Sequence, residues 1–581
     1  MLDTTLNGKF VPGTNLSGGL ARADWRFLLP SLKCERFLCL GVPPASALKA
    51  FATTARLVVV VSRNYSALQN LLEKCKESNI SNLKMMVANS AALPFANNSF
   101  DLIYSTKEKD EPDIFSDKKL APELGRLLQP KGVIYSETEG FASYSRSNGF
   151  FANGLKATQA FWLTPFSGKM RTALPVQDHQ IADYFFNNVI FGNSSKKRAA
   201  SVMGKTISRV GLLRYFTPRR AALIRPNQTS NGRADSFAYL VSLAGRAGID
   251  LSGYRFGVYM RGQGNSNKVI FYLFDQNSRK PKFVIKMTRD PQFNCCLENE
   301  YRMLSLLKER QFIDVQTYPE PLFFDYHNNL AVLGMRAIEG EPLRSRTKAT
   351  SACPMALDAI ARIAQLGTSS ADNSVASPKE VSATLFKLFG QFNQIYKLSD
   401  DHRRFLARQI EKIARNRHAF PLVVQHGDPG TWNMFVSKQG KVILIDWESG
   451  ERQGMPLWDL FYFLRTYASW VSRKQGCRDS LTSFAKQFLK PSSYLVLLQD
   501  VTQRYAHQIS LAEELIEPLF YTCWMHRALK EAARLTTDQL EGGHYLNLLR
   551  LTIDQRNSLV FVKKQPLPVN ALRETVHRYR P

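Results

Sequence analysis

The sequence predicts two bodies in succession, an α/β doubly wound sheet in the N-terminal part and an α+β body in the C-terminal part. Three observations predict this. Short apolar runs alternate with helix-length segments over residues 33–140. After residue 235, short strands give way to long stretches of helical periodicity such as LFKLFGQFNQIYKL. The 581 residues also exceed one ordinary core, since domains run to roughly 100–200 residues.

Composition narrows the class. With 44% hydrophobic and 22% charged residues, the chain is neither disordered nor fibrous. No apolar run approaches the ~20 residues that span a bilayer. The first residues lack the basic-then-apolar pattern of a secretory signal. Eight cysteines occur without a CxxC pair, so reduced thiols and a cytoplasmic location are expected. Lys and Arg total 77 against 49 Asp and Glu, a formal +28 that favours anionic partners.

In the N-terminal part, ERFLCLG (35–41) and ARLVVVVS (55–62) read as buried parallel strands. SALQNLLEKCKE (66–77) reads as an amphipathic helix; NLKMMVA, FDLIYS and GVIYSE resume as strands. The order of elements, with ANSAALPFANNSFDLIYS and ELGRLLQPKGVIYSE, resembles a class I S-adenosylmethionine-dependent methyltransferase over residues 25–190. Three positions depart from that family's cofactor site. Gly41 is followed by Pro43 and Pro44 where a glycine-rich turn is wanted, Ser62 stands for an acidic residue, and Asn89 stands for an Asp. The expectation is a degenerate domain that does not bind S-adenosylmethionine.

Residues 196–225, KKRAASVMGKTISRVGLLRYFTPRRAALIR, hold nine Lys/Arg and no acid. On a helical wheel Val202, Met203, Ile207, Val210 and Leu213 share one side, with Arg198, Lys205 and Arg209 opposite. Two readings are open: a helix lying on an anionic membrane surface at the inner face of the membrane, or an interdomain packing helix with a solvated basic face. Nucleic acid is not favoured, because aromatics are not interleaved with the basic residues. The expected boundaries are 1–190 for the methyltransferase-like domain, 191–234 for the bridge, 235–345 for strands and hinge, and 346–581 for the helical remainder.

The densest chemistry lies at 423–447, VVQHGDPGTWNMFVSKQGKVILIDW. MFVSKQGKVILID reads as a hairpin turning at Lys438-Gln439-Gly440. Asn433 precedes its first strand and Asp446 ends its second, so folding brings two oxygen ligands together. Hard ligands of this kind suit Mg²⁺ bound to nucleotide phosphates. Asp428, on the loop leading in, sits where a base for an attacking hydroxyl belongs.

His-x-Asp-x₄-Asn followed by an Asp after a hairpin resembles the catalytic loop and metal site of the protein-kinase-like fold. QHGDPGTWNMF with VILIDWE resembles the aminoglycoside phosphotransferase and choline kinase branch of it. That resemblance implies a bilobal protein-kinase-like domain using ATP and Mg²⁺. It implies a phosphate-covering turn with Gly262, Gly264 and Ser266, a phosphate-binding Lys286, and Glu300 as its partner, with Glu298 as the alternative. AVLGMRAIEGEPL would be the hinge. Asp459, in GMPLWDLFYFLR, would clamp the loop, and His426 would orient Asp428 through backbone hydrogen bonds. The expected activity is phosphorylation of a hydroxyl on a small molecule, sugar or lipid-linked glycan. The alternatives are a nucleotide-binding scaffold, or a bifunctional methyltransferase–kinase of surface polysaccharide. The oligomeric state and the acceptor are not legible in the chain.

Overall fold

The computed structural model describes residues 21–559 apart from 77–79, 90–91, 106–119, 140–153, 166–169, 190–201, 205, 208, 211–218, 227–236, 261–267, 311–316, 346–348 and 369–374. They divide into two compact units. One holds the residues up to Leu297 together with Pro321–Ala337, and the other holds Glu298–Glu320 and the residues from Ile338 on.

The first unit is built on strands β1 (Cys34–Leu40), β2 (Ala55–Ser62), β3 (Leu83–Val87), β4 (Phe100–Ser105) and β5 (Leu128–Glu139). They pair in parallel in the order β3-β2-β1-β4-β5, a doubly wound sheet. Helices α1 (Ala45–Thr54), α2 (Tyr65–Lys76) and α3 (Leu120–Leu127) supply the connections. Period-2 alternation sorts the side chains into two cores. Val58 and Val60 of β2 join Phe37 and Cys39 of β1 on one face, while Val59 and Val61 join Leu38 and Leu40 on the other. A 3-10 helix, Ala21–Leu28, closes the first face. Its Trp25 stacks on Tyr104 at 4.6 Å and Tyr135 at 4.7 Å. Next to it, the buried Asp24 takes a two-pronged ion pair from Arg289, both contacts at 2.8 Å.

The sheet does not stop at β5. Strands β6 (Leu155–Thr164), β7 (Thr172–Pro175) and β8 (Arg219–Pro226) add in antiparallel fashion, followed by β9 (Arg255–Tyr259), β10 (Lys268–Phe274), β11 (Pro281–Thr288), β12 (Pro321–His327) and β13 (Leu330–Arg336). The pairing of β7 with β9 joins the two sets into one thirteen-stranded sheet. Helices α4 (His179–Asn188) and α5 (Ala238–Arg246) belong to this unit.

The basic stretch 196–225 is not one helix, because its end is β8, paired between β5 and β6. Arg219 is buried there against Glu137, 3.0 Å away. The expected apolar side also divides. Ile207 packs against the cluster around Trp162, Phe185 and Phe186, and Arg209 pairs with Asp183, whereas Val202, Met203 and Val210 are exposed. Leu213, Arg198 and Lys205 lie outside the described residues. Among the described residues no helix is long and apolar enough to cross a membrane.

The second unit is mainly helical. Helix α6 (Asn294–Glu309) enters it at Glu298. There follow β14 (Glu341–Pro342), α7 (Ala349–Thr368), β15 (Val375–Ala376), α8 (Pro378–Ile395), α9 (Asp400–Ala414), β16 (Phe420–Pro421), β17 (Val423–Gln425), β18 (Met434–Val436), β19 (Val442–Leu444) and β20 (Glu451–Gly454). The long helices α10 (Trp458–Lys474), α11 (Ser493–Gln508), α12 (Ile516–Ala532) and α13 (His544–Asp554) complete it. Fourteen of the 17 residues of α12 are buried, which makes it the central helix of this unit.

Candidate active site

Strand β17, apolar and buried, pairs with β20 and delivers the chain into the loop 426–433. The loop is seated from below. Asp459, in the first turn of α10, accepts the N–H of His426 at 2.6 Å and that of Gly427 at 3.1 Å. Burial pushes the Asp459 carboxyl above the usual range, opposed by His426, Arg527 and these two N–H groups. Gly427 has φ +75, and a Cβ there would stand 1.9 Å from the Ser449 carbonyl oxygen, so no other residue fits this turn.

His426 is buried, and burial lowers its pKa, so the ring is neutral. One ring nitrogen, Nε2, lies 2.9 Å from the Ile445 carbonyl, and the other accepts the Asp428 N–H at 3.2 Å. The donor must therefore be Nε2, and both ring nitrogens are engaged with backbone. That geometry orients the loop and leaves no free nitrogen for proton transfer.

The hairpin forms as its turn chemistry requires, with Gly440 at φ +82. Met434 pairs with Leu444, and Ile445 N–H donates to the Asn433 carbonyl at 2.9 Å, so Asn433 and Asp446 end up at the same end of the hairpin. Asp446 holds a left-handed conformation, φ +71, a strained geometry for a non-glycine residue. The Asn433 amide donates to both the carbonyl (3.0 Å) and the carboxylate (3.1 Å) of Asp428. With its nitrogen so committed, the amide oxygen is the atom left to face a cation. Among the described residues no three His, Cys, Asp or Glu side chains form a cage that holds a metal alone. Asn433 and Asp446 fit Mg²⁺ that takes its remaining ligands from phosphate and water.

Of the other expected residues, Lys286 lies on β11 in the first unit, flanked by Ile270 and Leu333, and is buried. Glu300 lies on α6 in the second unit and is fully buried, whereas Glu298 is exposed. Gly262, Gly264 and Ser266 lie outside the described residues.

Sequence reading missed Arg527, Lys530 and Tyr462. Arg527, on α12, lies with its charge 3.6 Å from Asp428 and donates to the Gly427 carbonyl at 2.9 Å. Its guanidinium stacks 3.4 Å over the Tyr462 ring. Lys530, one turn on, reaches the same carbonyl at 3.4 Å. Burial and the neighbouring Arg527 lower its pKa. A cation amid the apolar run LFYTCWMHRAL was the available signal, because a buried charge needs a partner. Trp432 is exposed, its ring edge-on to Tyr462 at 6.2 Å and the Arg344 guanidinium 5.1 Å over it.

The profile of the phosphotransferase enzyme family matches residues 261–489. The C-terminal part carries a phosphotransferase-family domain. A methyltransferase-domain profile matches residues 38–136. The phosphotransferase match takes in Lys286, Glu300, Asp428, Asn433, Asp446 and Asp459, and it ends before Arg527 and Lys530. Solved structures similar to parts of the chain include an aminoglycoside phosphotransferase from Streptomyces rimosus (16% identity, 52% of this chain and 99% of that one, TM-score 0.32). The same enzyme in complex with ADP and streptomycin gives 17% identity, 51% and 97% coverage, and TM-score 0.31. A SAM-dependent methyltransferase from Aquifex aeolicus gives 13% identity, 26% and 92% coverage, and TM-score 0.21. No curated protein matches the chain.

Proposed function

We propose that the phosphotransferase domain moves the γ-phosphoryl group of ATP to a hydroxyl of a sugar-like or glycan acceptor. The observation that carries this is the β18–β19 hairpin, which sets Asn433 and Asp446 side by side with Asp428 hydrogen-bonded to Asn433. In this reading Asp428 accepts the proton of the attacking hydroxyl. Asn433 and Asp446 hold Mg²⁺, which neutralises charge on the phosphates. Lys286 is assigned to the α- and β-phosphates and Glu300 as its acidic partner by the sequence resemblance, as are Gly262, Gly264 and Ser266, which lie outside the described residues. His426 and Asp459 hold the loop, so that the base is in place before the acceptor arrives.

The groups around the base bear on the acceptor. Arg527 and Lys530 flank Asp428 and oppose the approach of a polycation, while Trp432 offers an exposed aromatic plate. This favours a neutral or anionic ring compound over an aminoglycoside. The N-terminal domain is inferred not to bind S-adenosylmethionine. Pro43 and Pro44 lack N–H groups, Ser62 accepts a hydrogen bond from Asn64 N–H, and Asn89 takes one from the Arg63 guanidinium at 2.6 Å. These residues do not supply the carboxylates that a ribose and an adenine would engage.

The test is incubation of the full chain with γ-labelled ATP and Mg²⁺, in the presence of sugars, sugar phosphates, glycolipid fractions or streptomycin. Label is expected on a hydroxyl of a sugar-bearing fraction and not on streptomycin. Absence of transfer to every fraction, with no ATP binding, would contradict the reading.

A further inference from the structure

A charge inside a protein is ordinarily paired, because leaving water without a countercharge is costly. The helices beside Asp428 carry two cations that break this rule. Lys530 of α12 is half-buried, and its ammonium donates to the Gly427 carbonyl at 3.4 Å. Glu451, Asp428 and Asp459 favour its charge from beyond ion-pair distance. Arg465 of α10, also half-buried, donates to the Ser480 hydroxyl at 2.9 Å and meets a ring nitrogen of His544. Burial and Arg465 itself lower the His544 pKa to about 3, so that ring supplies no charge. Among the described residues neither cation has a carboxylate partner.

Both cations belong to one row of side chains that starts at the base. The Arg527 guanidinium, 3.6 Å from Asp428, stacks 3.4 Å over Tyr462. Tyr462 packs against Tyr545 of α13 with ring centroids 6.2 Å apart, and the Arg465 guanidinium lies 5.2 Å over that second ring. Lys530 is one turn beyond Arg527 on α12 and shares the Gly427 carbonyl with it. Glu531, next to Lys530 in sequence, commits a carboxylate oxygen to the Tyr545 N–H at 2.8 Å. Arg527 thus has its countercharge in Asp428, whereas Lys530 and Arg465 await one.

We propose that Lys530, seconded by Arg465, reads an anionic substituent, a phosphate or a carboxylate, on the acceptor whose hydroxyl meets Asp428. This rests on the phosphotransferase reading above and narrows its acceptor from a neutral or anionic ring to an anionic one. In the transfer itself the acceptor oxygen bonds to the γ-phosphorus, the bond from that phosphorus to the bridging oxygen breaks, ADP leaves, and Asp428 takes the hydroxyl proton. The anionic substituent takes no part in those bonds. It supplies the countercharge that Lys530 lacks, and the charge-assisted hydrogen bond it accepts holds the acceptor in one orientation.

The test uses the full chain, Mg²⁺ and γ-labelled ATP with sugar, sugar-phosphate and glycolipid fractions. Each fraction is used untreated, stripped by a phosphatase that is then removed, or amidated with a carbodiimide to mask carboxylates. The fraction that takes label is expected to lose at least about tenfold in kcat/KM after one of the two treatments, and that treatment identifies the anion. Lys530→Met is expected to raise KM for the untreated fraction roughly ten- to a hundredfold, the contribution of a hydrogen bond between charged groups, with little change on the treated one. Lys530→Arg keeps the charge and is expected to recover most of that loss. The denaturant midpoint of Lys530→Met is expected not to fall, because a cation without countercharge is removed; should the variant not fold, Arg465→Gln carries the test. Labelling indifferent to both treatments overturns the proposal. So does an equal loss of kcat on untreated and treated fractions in Lys530→Met, which would place Lys530 at the transferring phosphate or in the scaffold. Transfer to no fraction removes the phosphotransferase reading, and this inference with it.

Discussion

Asp428→Asn is expected to lower phosphoryl transfer by roughly 10²–10⁴-fold, the range for loss of a general base, and to leave Mg²⁺-ADP binding unchanged. The substitution is nearly isosteric. Its amide oxygen can still accept from the Asn433 amide, which now donates to the Asp428 carboxylate at 3.1 Å. The loop keeps its other supports, because the Asp428 carbonyl and N–H bonds to Asn433 and His426 involve backbone. What is lost is the proton acceptor and the countercharge to Arg527, 3.6 Å away. Initial rates of labelled transfer beside calorimetric ADP binding separate the two effects. Turnover at the wild-type rate would assign the base elsewhere.

The second large effect is on stability. Asp459 is buried and accepts the backbone N–H groups of His426 and Gly427, both buried residues. Asp459→Ala leaves both without this acceptor, and each buried unsatisfied donor costs about 1–3 kcal/mol. Asp459→Asn keeps an acceptor oxygen and is expected to fall between Ala and the parent. Denaturant midpoints order the three. Gly427 turns at φ +75 with its N–H bonded to Asp459, so activity in Asp459→Ala is expected to fall more than the unfolded fraction explains. An unchanged midpoint in Asp459→Ala would show that the loop is held by other contacts.

Much of the fold was legible because its signals are local. ARLVVVVS reads as a strand buried on both faces, and β2 spans those residues, with valines alternating between two cores. The β18–β19 hairpin was legible from Gly440 at its turn, and with it the meeting of Asn433 and Asp446. Glu300 is buried and Glu298 exposed, a difference that a helical wheel leaves open.

The rest depends on partners far along the chain. RRAALIRP looked like the end of a basic helix because Arg219 finds its countercharge in Glu137, 82 residues earlier. Arg527 and Lys530 were hidden for the same reason, since the carbonyl they share, that of Gly427, is 100 and 103 residues away. The β7–β9 pairing carries no motif at all. Helix α4 packs on Gly257 of β9, a contact that exists only once both segments are folded.

The central claim, that the 426–446 stretch holds a metal–nucleotide, is tested most directly with Mn²⁺ in place of Mg²⁺. Paramagnetic resonance titrations of Mn²⁺-ADP are run on the parent chain and on Asp446→Ala. Bound Mn²⁺-ADP is expected in the parent, with a marked loss of affinity in Asp446→Ala and Asp428→Asn indistinguishable from the parent. Equal Mn²⁺-ADP binding in the parent and Asp446→Ala, or none in either, would contradict it.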